Sequence, residues 1–115
     1  MKVISIKENH IFRRLYAKGK SVATPHVAVY CRRNGRKESR LGITVSTKLG
    51  KAVRRNKVRR RIREIYRLHQ HELMPGWDVI VVARVKAAHS SYAAIERSFL
   101  SAADKLGLRK PEDKA

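Results

Sequence analysis

The chain has 115 residues, of which 28 are lysine or arginine and 9 are acidic, giving a formal net charge of +19. This length predicts one domain over residues 1–115, with an ordered core over about 8–107 and a flexible tail over 109–115. A hydrophobic fraction of 43% excludes a disordered basic tail. The single cysteine, Cys31, excludes a disulfide framework within the chain and fits a reducing cytoplasm.

The surplus of positive charge predicts a polyanionic partner, which leaves RNA, DNA and an anionic membrane surface as candidates. No segment is long and apolar enough to span a membrane. The most basic segment also lacks the tryptophan, phenylalanine and leucine bulk of a helix that lies in a membrane interface. A nucleic acid is therefore favoured, and no membrane partner is expected.

The first elements are predicted from periodicity. Residues 8–18 predict a short helix, because apolar residues recur there at the helical period, and Gly19 ends it. Residues 21–33 read as extended chain that Thr24-Pro25 interrupts. Asn34-Gly35 predicts a hairpin, since both residues tolerate a positive φ, and the polar residues after it lengthen the turn.

The later elements complete an α/β pattern. Residues 41–45 alternate as a strand, and residues 51–72 predict a long basic helix that Pro75-Gly76 follows. The nearly continuous apolar run at 77–84 predicts a central strand covered on both faces. A final helix begins after Ser90-Ser91. The order α-β-β-β-α-β-α predicts an α-β sandwich in which helices pack on one central sheet of about four strands.

The long basic helix has two opposed faces. Its predicted buried side carries Val58, Ile62, Ile65, Tyr66 and His69, and its predicted outer row carries Asn56, Arg60, Arg63 and Arg67. Like charges at this spacing repel one another, so the row predicts a polyanion that neutralises it. The alternative is an ordinary solvated face. Such faces mix both signs of charge, whereas Glu64 is the only acid between Lys48 and Arg67.

No catalytic constellation is visible in the sequence. The nine acids do not cluster on any predicted strand or helix face, although a metal-dependent nuclease needs carboxylates that converge on its ions. His69 and His71 point apart on a helix, so a structural role is favoured over zinc binding. Cys31 alternates with inward-facing valines and is interpreted as a core residue. Tyr30 lies on the opposite face, where base stacking and packing under a helix both stay open.

The sequence resembles a known family at its most basic stretch. Residues 51–63, Lys-Ala-Val-Arg-Arg-Asn-Lys-Val-Arg-Arg-Arg-Ile-Arg, resemble the signature helix of the bacterial ribonuclease P protein subunit. The flanking residues 40–50, the early Phe12, the Tyr16-x-x-Gly19 turn and residues 78–84 fit the same pattern. The resemblance covers about residues 8–106.

The resemblance implies a subunit of the ribonucleoprotein endoribonuclease that removes 5′ leaders from precursor tRNA in the cytoplasm. Its partners are then ribonuclease P RNA and precursor tRNA, with one protein per RNA and no DNA. The RNA subunit carries the active site and binds most of the Mg²⁺, so the isolated protein is expected to be inactive. The resemblance also implies a left-handed βαβ crossover, which general rules would not predict because about 98% of such crossovers are right-handed.

The resemblance also implies roles for individual residues. The family's Arg-Asn-Arg core falls on Arg55, Asn56 and Lys57, where lysine keeps the charge but lacks the planar guanidinium fork. The expected RNA-binding residues of the helix are Lys51, Arg54, Arg55, Asn56, Lys57, Arg59, Arg60, Arg63 and Arg67. The expected leader cleft contains Phe12, Tyr30, Lys48 and Arg84. No catalytic residue is assigned, and Asn56 is the one candidate for a metal contact.

Two other functions remain as alternatives. A purely structural RNA-binding protein, such as a small ribosomal protein, would share the charge but need no leader cleft. A DNA architectural protein would bend duplexes and show no preference for leader-bearing tRNA. A single RNA that co-purifies with the protein would favour the ribonuclease P interpretation over both.

Overall fold

Four strands form one mixed sheet in the computed structural model, which describes residues 2–111. The sheet has the order β1-β2-β4-β3, in which β1 pairs with β2 and β2 with β4 in antiparallel fashion, and β3 pairs with β4 in parallel. The strands are β1 Lys20–Ala23, β2 Val27–Arg33, β3 Arg40–Thr44 and β4 Trp77–Ala83. The predicted central strand is therefore confirmed as β4.

Three helices pack against this sheet: α1 Asn9–Lys18, α2 Ala52–His69 and α3 Tyr92–Lys105. The predicted order and the α/β fold class are confirmed. Helix α2 is shorter than predicted, because the chain tightens into a 3₁₀ turn at Gln70–Glu72. The Ser91 side chain accepts a hydrogen bond from the Ala94 amide and caps α3, as the sequence predicts.

Strand β4 separates β2 from β3, so the hairpin predicted at Asn34-Gly35 is wrong. The turn itself forms, with Gly35 at φ 70° and the Arg36 amide donating to the Asn34 side chain. However, β4 is almost wholly buried and obtains hydrogen bonds on both edges only by lying between the other two strands. The unit β3-α2-β4 is thus a parallel crossover. Its left-handed sense stays a prediction from the resemblance.

The two faces of the sheet carry cores of different size. Helices α2 and α3 cover the face that bears Val29, Cys31 and Val81, and together they form the main core. Cys31 is fully buried there as the sequence predicts, and burial raises the pKa of its thiol. The second core is smaller, with Leu15 of α1 packed on Ile80. Because α1 is short, it leaves part of this second face open.

Helix α1 approaches the sheet closely at Gly42. A Cβ atom at this position would lie 2.7 Å from Cζ of Phe12, so only glycine allows the ring to rest on β3. Residues before α1 cover the free edge of β3, since Ser5 bridges to Leu41 and the Ile6 amide donates to the Leu41 carbonyl (2.8 Å).

The first two residues of the predicted flexible tail form backbone contacts with the rest of the chain. Gly107, at φ 72°, turns the chain back, and Arg109 forms an antiparallel bridge with Leu73. The Lys110 amide donates to the Glu72 carbonyl (2.7 Å). Arg109 and Lys110 therefore belong to the folded structure, because their backbone groups find partners beside the end of α2. Residues 112–115 lie outside the described residues.

His69 connects α2 to α3 through two carboxylates. Its Nδ1 lies 2.8 Å from Glu72 and its Nε2 lies 2.8 Å from Glu96. An ionised carboxylate only accepts hydrogen bonds, so both contacts are made when both ring nitrogens carry protons. Burial opposes this charge, but hydrogen bonds to Glu96 and Glu72 outweigh burial and raise the pKa of His69.

We expect the contribution of His69 to the free energy of unfolding to fall as the pH rises above about 6.5, the ordinary histidine pKa. Folding raises the pKa of His69, so its stabilisation is complete below that pH and disappears as the folded-state group loses its proton. Urea unfolding at several pH values measures the slope. His69→Gln should flatten it, whereas His71→Gln, at a side chain that is 64% exposed, should not. Equal slopes for all three proteins would contradict the assignment.

Candidate nucleic-acid interface

The outer row of α2 is exposed as the sequence predicts. Asn56, Arg60, Arg63 and Arg67 are all exposed, while the opposite face is buried. Arg67 differs from the others because both oxygens of Glu64 accept from its guanidinium at 2.8 Å. This contact also lowers the pKa of Glu64. Arg67 therefore offers less uncompensated charge than Arg60 or Arg63.

The start of α2 is electrostatically unfavourable in isolation. Its first turn contains no acidic residue, although the N-terminus of a helix carries partial positive charge. The Lys51 side chain does not cap the helix, and Arg54 and Arg55 add two further cations. Backbone carbonyls compensate in part, since Arg55 Nε donates to the Gly50 carbonyl (3.1 Å). A phosphate at this end of α2 would relieve the repulsion.

The predicted RNA-binding residues of α2 lie on two flanks of the helix. Asn56, Arg59, Arg60, Arg63 and Arg67 form one flank. Lys51, Arg54 and Lys57 instead line a groove of about 680 Å³ together with Arg61 and Val53, whose exposed fraction is 83%. Arg61 is not among the predicted RNA-binding residues, because its position on the helix falls between the buried face and the outer row.

Asn56 stands at the centre of the family's three-residue core. Its side-chain carbonyl accepts a hydrogen bond from Arg59 (3.0 Å), which fixes the amide on the outer row. Among residues 2–111, no group of three histidine, cysteine, aspartate or glutamate side chains could hold a metal ion. A metal contact at Asn56 therefore stays a prediction from the resemblance.

The open part of the second sheet face is lined by aromatic rings. Phe12 rests on Gly42, Tyr16 lies 6.4 Å from Phe12, and Tyr30 lies 5.0 Å from Tyr16 in an edge-on arrangement. Phe12 and Tyr30 are half-buried, whereas Tyr16 is 41% exposed. The Tyr16 hydroxyl is hydrogen-bonded to Thr44 (2.7 Å), which holds its ring over β3.

Tyr16 is an aromatic side chain that the site prediction did not include. It follows Phe12 by four residues, the helical spacing that places two side chains on one face, so the signal was present in the sequence. We call Phe12, Tyr16 and Tyr30 the aromatic cleft.

Lys48 and Arg84 lie at one end of the sheet. They follow β3 and β4, which are parallel neighbours, so both leave the sheet at the same end. Both are exposed, and Arg84 Nη1 donates to the Thr24 carbonyl (2.9 Å), so its guanidinium is held at the turn between β1 and β2. The structure therefore places these two cations at the same end of the sheet, and their contact with a leader stays a prediction.

The outer row and the aromatic cleft are neighbours. Arg63 Nη1 donates to Ser5 Oγ (3.1 Å), and Ser5 bridges to Leu41 of β3. Strand β3 also carries Gly42 and Thr44, which contact the aromatic rings. The edge of β3 thus separates the outer row of α2 from the aromatic cleft.

A sheet flanked by a helix with a row of exposed arginines, and carrying partly exposed aromatic rings on its open face, is typical of nucleic-acid-binding proteins. The ribonuclease P family model matches residues 1–107. The chain belongs to the ribonuclease P protein family.

Curated relatives carry the name ribonuclease P protein component. The chain is 42% identical to that of Clostridioides difficile over 94 residues, covering 81% of this chain and 82% of the relative. It is 37% identical to that of Desulfosudis oleivorans over 113 residues, covering 94% and 93%. Ribonuclease P is an endoribonuclease ribonucleoprotein with an RNA subunit.

Solved structures of the family share the fold. The Staphylococcus aureus RNase P protein has a TM-score of 0.86 and 38% identity, covering 95% of this chain and 100% of that chain. The Thermotoga maritima RNase P protein has a TM-score of 0.78 and 33% identity, covering 84% and 92%. No helix within residues 2–111 is long and apolar enough to cross a membrane.

Proposed function

We propose that this protein binds the catalytic RNA of ribonuclease P and the 5′ leader of precursor tRNA, and so promotes removal of the leader. The observation that carries the proposal is the placement of two unlike surfaces on either side of the β3 edge. The outer row of α2 offers guanidiniums for RNA phosphates, and the aromatic cleft offers rings for unpaired bases.

The cations of α2 act mainly through phosphate contacts. Each contact releases condensed counterions from the RNA, which favours binding and makes it dependent on salt. Lysine at position 57 supplies charge without a bidentate fork, so we assign it to phosphate attraction and not to planar recognition. Such charge screens two RNAs that approach one another and thereby lowers the divalent-ion concentration that cleavage requires.

The aromatic cleft explains a preference for precursor over mature tRNA. An extended leader can lay its bases on Tyr16 and Tyr30 while Lys48 and Arg84 attract its backbone. Mature tRNA lacks this segment, so the cleft adds affinity only before cleavage. In this proposal Mg²⁺ is bound mainly by the RNA subunit, one protein binds one RNA, and the complex works in the cytoplasm.

Reconstitution tests the proposal directly. Ribonuclease P RNA from a bacterial relative is mixed with this protein, and precursor-tRNA cleavage is measured at low and high magnesium. We expect the protein to restore cleavage at low magnesium and to show no ribonuclease activity without the RNA. RNA binding without any effect on cleavage would favour a purely structural RNA-binding protein. Equal affinity for duplex DNA would favour an architectural DNA-binding protein.

We expect Arg60→Ala/Arg63→Ala to weaken binding to the catalytic RNA without unfolding the protein. Both side chains are exposed, so their truncation leaves no cavity. If each contacts one phosphate, the slope of log affinity against log salt should shrink by about 1 per lost contact. Filter binding at several salt concentrations measures the slope.

Two comparisons sharpen this test. Arg36→Ala/Lys37→Ala removes the same charge from the exposed loop before β3, so it should change the slope less. Arg67→Ala should also have a smaller effect, because Glu64 already neutralises that guanidinium. If the loss of affinity follows only the number of cations removed, which is two in each double variant and one in Arg67→Ala, binding depends on net charge alone and the outer row has no special role.

A further inference from the structure

The turn between β1 and β2 is a tightly bonded segment made of Thr24, Pro25 and His26. The amide and the hydroxyl of Thr24 both donate to the Val27 carbonyl, at 2.8 and 2.7 Å. Thr24 is only 5% exposed, and the ring of Pro25 fixes its own φ angle. The turn therefore has a fixed backbone conformation, and a group that is bonded to it takes a fixed place.

Arg84, the residue that follows β4, is bonded to this turn at two points. Its amide donates to the His26 carbonyl (2.9 Å), one residue beyond the last pair of the β2–β4 ladder, and its Nη1 donates to the Thr24 carbonyl (2.9 Å). No carboxylate within residues 2–111 forms an ion pair with Arg84. The guanidinium therefore keeps its charge, and carbonyl groups of the turn set its place.

A side-chain hydrogen bond anchors the turn to α3. His26 Nδ1 lies 2.7 Å from Ser98 Oγ, and Ser98 is only 7% exposed within its helix. A hydroxyl can donate or accept, so it serves either tautomer of the ring. Burial, with Lys86 and Arg97 close by, lowers the pKa of His26. The ring is therefore neutral at pH 7 and adds no positive charge of its own for a phosphate to contact.

We propose that His26 and Ser98 are positioning residues for leader binding, which act by fixing the turn that holds the Arg84 guanidinium. The inference rests on the proposed function, in which Arg84 attracts the leader backbone. A side chain that is already held in place loses less entropy when it contacts a phosphate. Helix α3 covers the main core, on the sheet face opposite the aromatic cleft. Ser98 thus lies away from a leader in the cleft, and its effect reaches the leader through the turn and Arg84.

Binding of precursor and mature tRNA to ribonuclease P reconstituted with Ser98→Ala tests the inference. We expect affinity for the precursor to fall about twofold to tenfold, the effect of one ordinary hydrogen bond, and affinity for mature tRNA to stay unchanged. Ser101→Ala is the matched control, because this hydroxyl lines the same pocket wall of α3 three residues later. His26→Leu removes the same hydrogen bond and provides the comparison should Ser98→Ala not fold. His26→Asn keeps a polar atom near the position of Nδ1 and should restore part of the affinity.

Combination with Arg84→Met separates positioning from general packing. Arg84→Met removes the charge, so it should weaken precursor binding more than Ser98→Ala does and reduce the salt slope by about 1. If Ser98 acts through Arg84, adding Ser98→Ala to Arg84→Met should cause no further loss, because the two changes affect one interaction and are not additive. Losses that add in the double variant would overturn the positioning role.

Amide hydrogen exchange of the free protein gives a readout that contains no RNA. Ser98→Ala should speed exchange of the Arg84 amide, which is bonded to the turn, while Ser101→Ala should leave it unchanged. Unchanged exchange in Ser98→Ala, or a loss of precursor affinity in Arg84→Met that Ser98→Ala does not share, would overturn the positioning role alone. If Arg84→Met binds the precursor as the wild type does, the leader contact of Arg84 in the proposed function is wrong, and the positioning role is wrong with it.

Discussion

Replacing Asp78 by alanine should lower the free energy of unfolding by about 3–5 kcal/mol, the usual cost of removing one partner of a buried ion pair. Asp78 is only 5% exposed, and both of its oxygens accept from the guanidinium of Arg40. The same carboxylate orders the loop before β3 through Asn34. Without it, a charged guanidinium would remain buried at the junction of β2, β3 and β4.

Urea unfolding in phosphate-free buffer measures this loss, and two further variants control it. Asp104→Ala removes an ion pair with Arg109 at 3.3 Å on a side chain that is 57% exposed, so it should cost at most about 1 kcal/mol. Arg40→Met/Asp78→Leu removes both charges and should recover much of the stability that Asp78→Ala loses. A loss below about 1 kcal/mol for Asp78→Ala would show that Arg40 finds water when its partner is gone.

The Asp78 contact illustrates what periodicity cannot predict. The sequence predicts the strand that contains Asp78, because an apolar run surrounds it, but its partner lies 38 positions away on a strand whose neighbours were not known. The hairpin prediction at Asn34-Gly35 failed for the same reason. The Asn-Gly pair specifies the turn. The order of the strands depends instead on which strand is hydrogen-bonded along both edges, and here that strand is β4.

Helix α2 shows the opposite case. Its buried face and its outer row follow from a single period, and all four predicted outer residues are exposed. The helical period does not predict which side chains surround each cation. Glu64 lies one turn from Arg67 and neutralises it. Arg61, on the flank away from the outer row, lines the groove beside Val53. These surroundings depend on side-chain rotamers and on the packing of α3, and neither can be read from the helical period of α2.

The aromatic cleft was predicted in part. Tyr30 faces away from the main core as alternation predicts, and the structure gives it a packing partner, Tyr16, while base stacking on its ring stays a prediction. Tyr16 presents more surface than Tyr30, because it lies on the helix that borders the cleft. The local pattern shows which face a ring takes, and only packing shows how much of it stays accessible.

We expect Tyr30→Ala and Tyr16→Ala each to weaken binding of leader-bearing precursor tRNA by about fivefold to over a hundredfold, with little effect on mature tRNA. This range corresponds to stacking of one base, worth about 1–3 kcal/mol. Tyr16→Ala removes the exposed ring itself, and Tyr30→Ala removes the ring that supports it edge-on at 5.0 Å. Phe12→Ala should behave similarly and also lose stability, since its ring packs on Gly42.

Binding of precursor and mature tRNA to ribonuclease P reconstituted with each variant, alongside thermal unfolding of the free protein, separates these effects. Tyr16→Phe keeps the ring and removes only the hydrogen bond to Thr44, so it should retain most of the preference for the precursor. Assembly with the catalytic RNA should survive in every variant, because the cations of α2 are unchanged. Equal losses for precursor and mature tRNA would contradict the cleft assignment, and these tyrosines would then act only in packing α1 on the sheet.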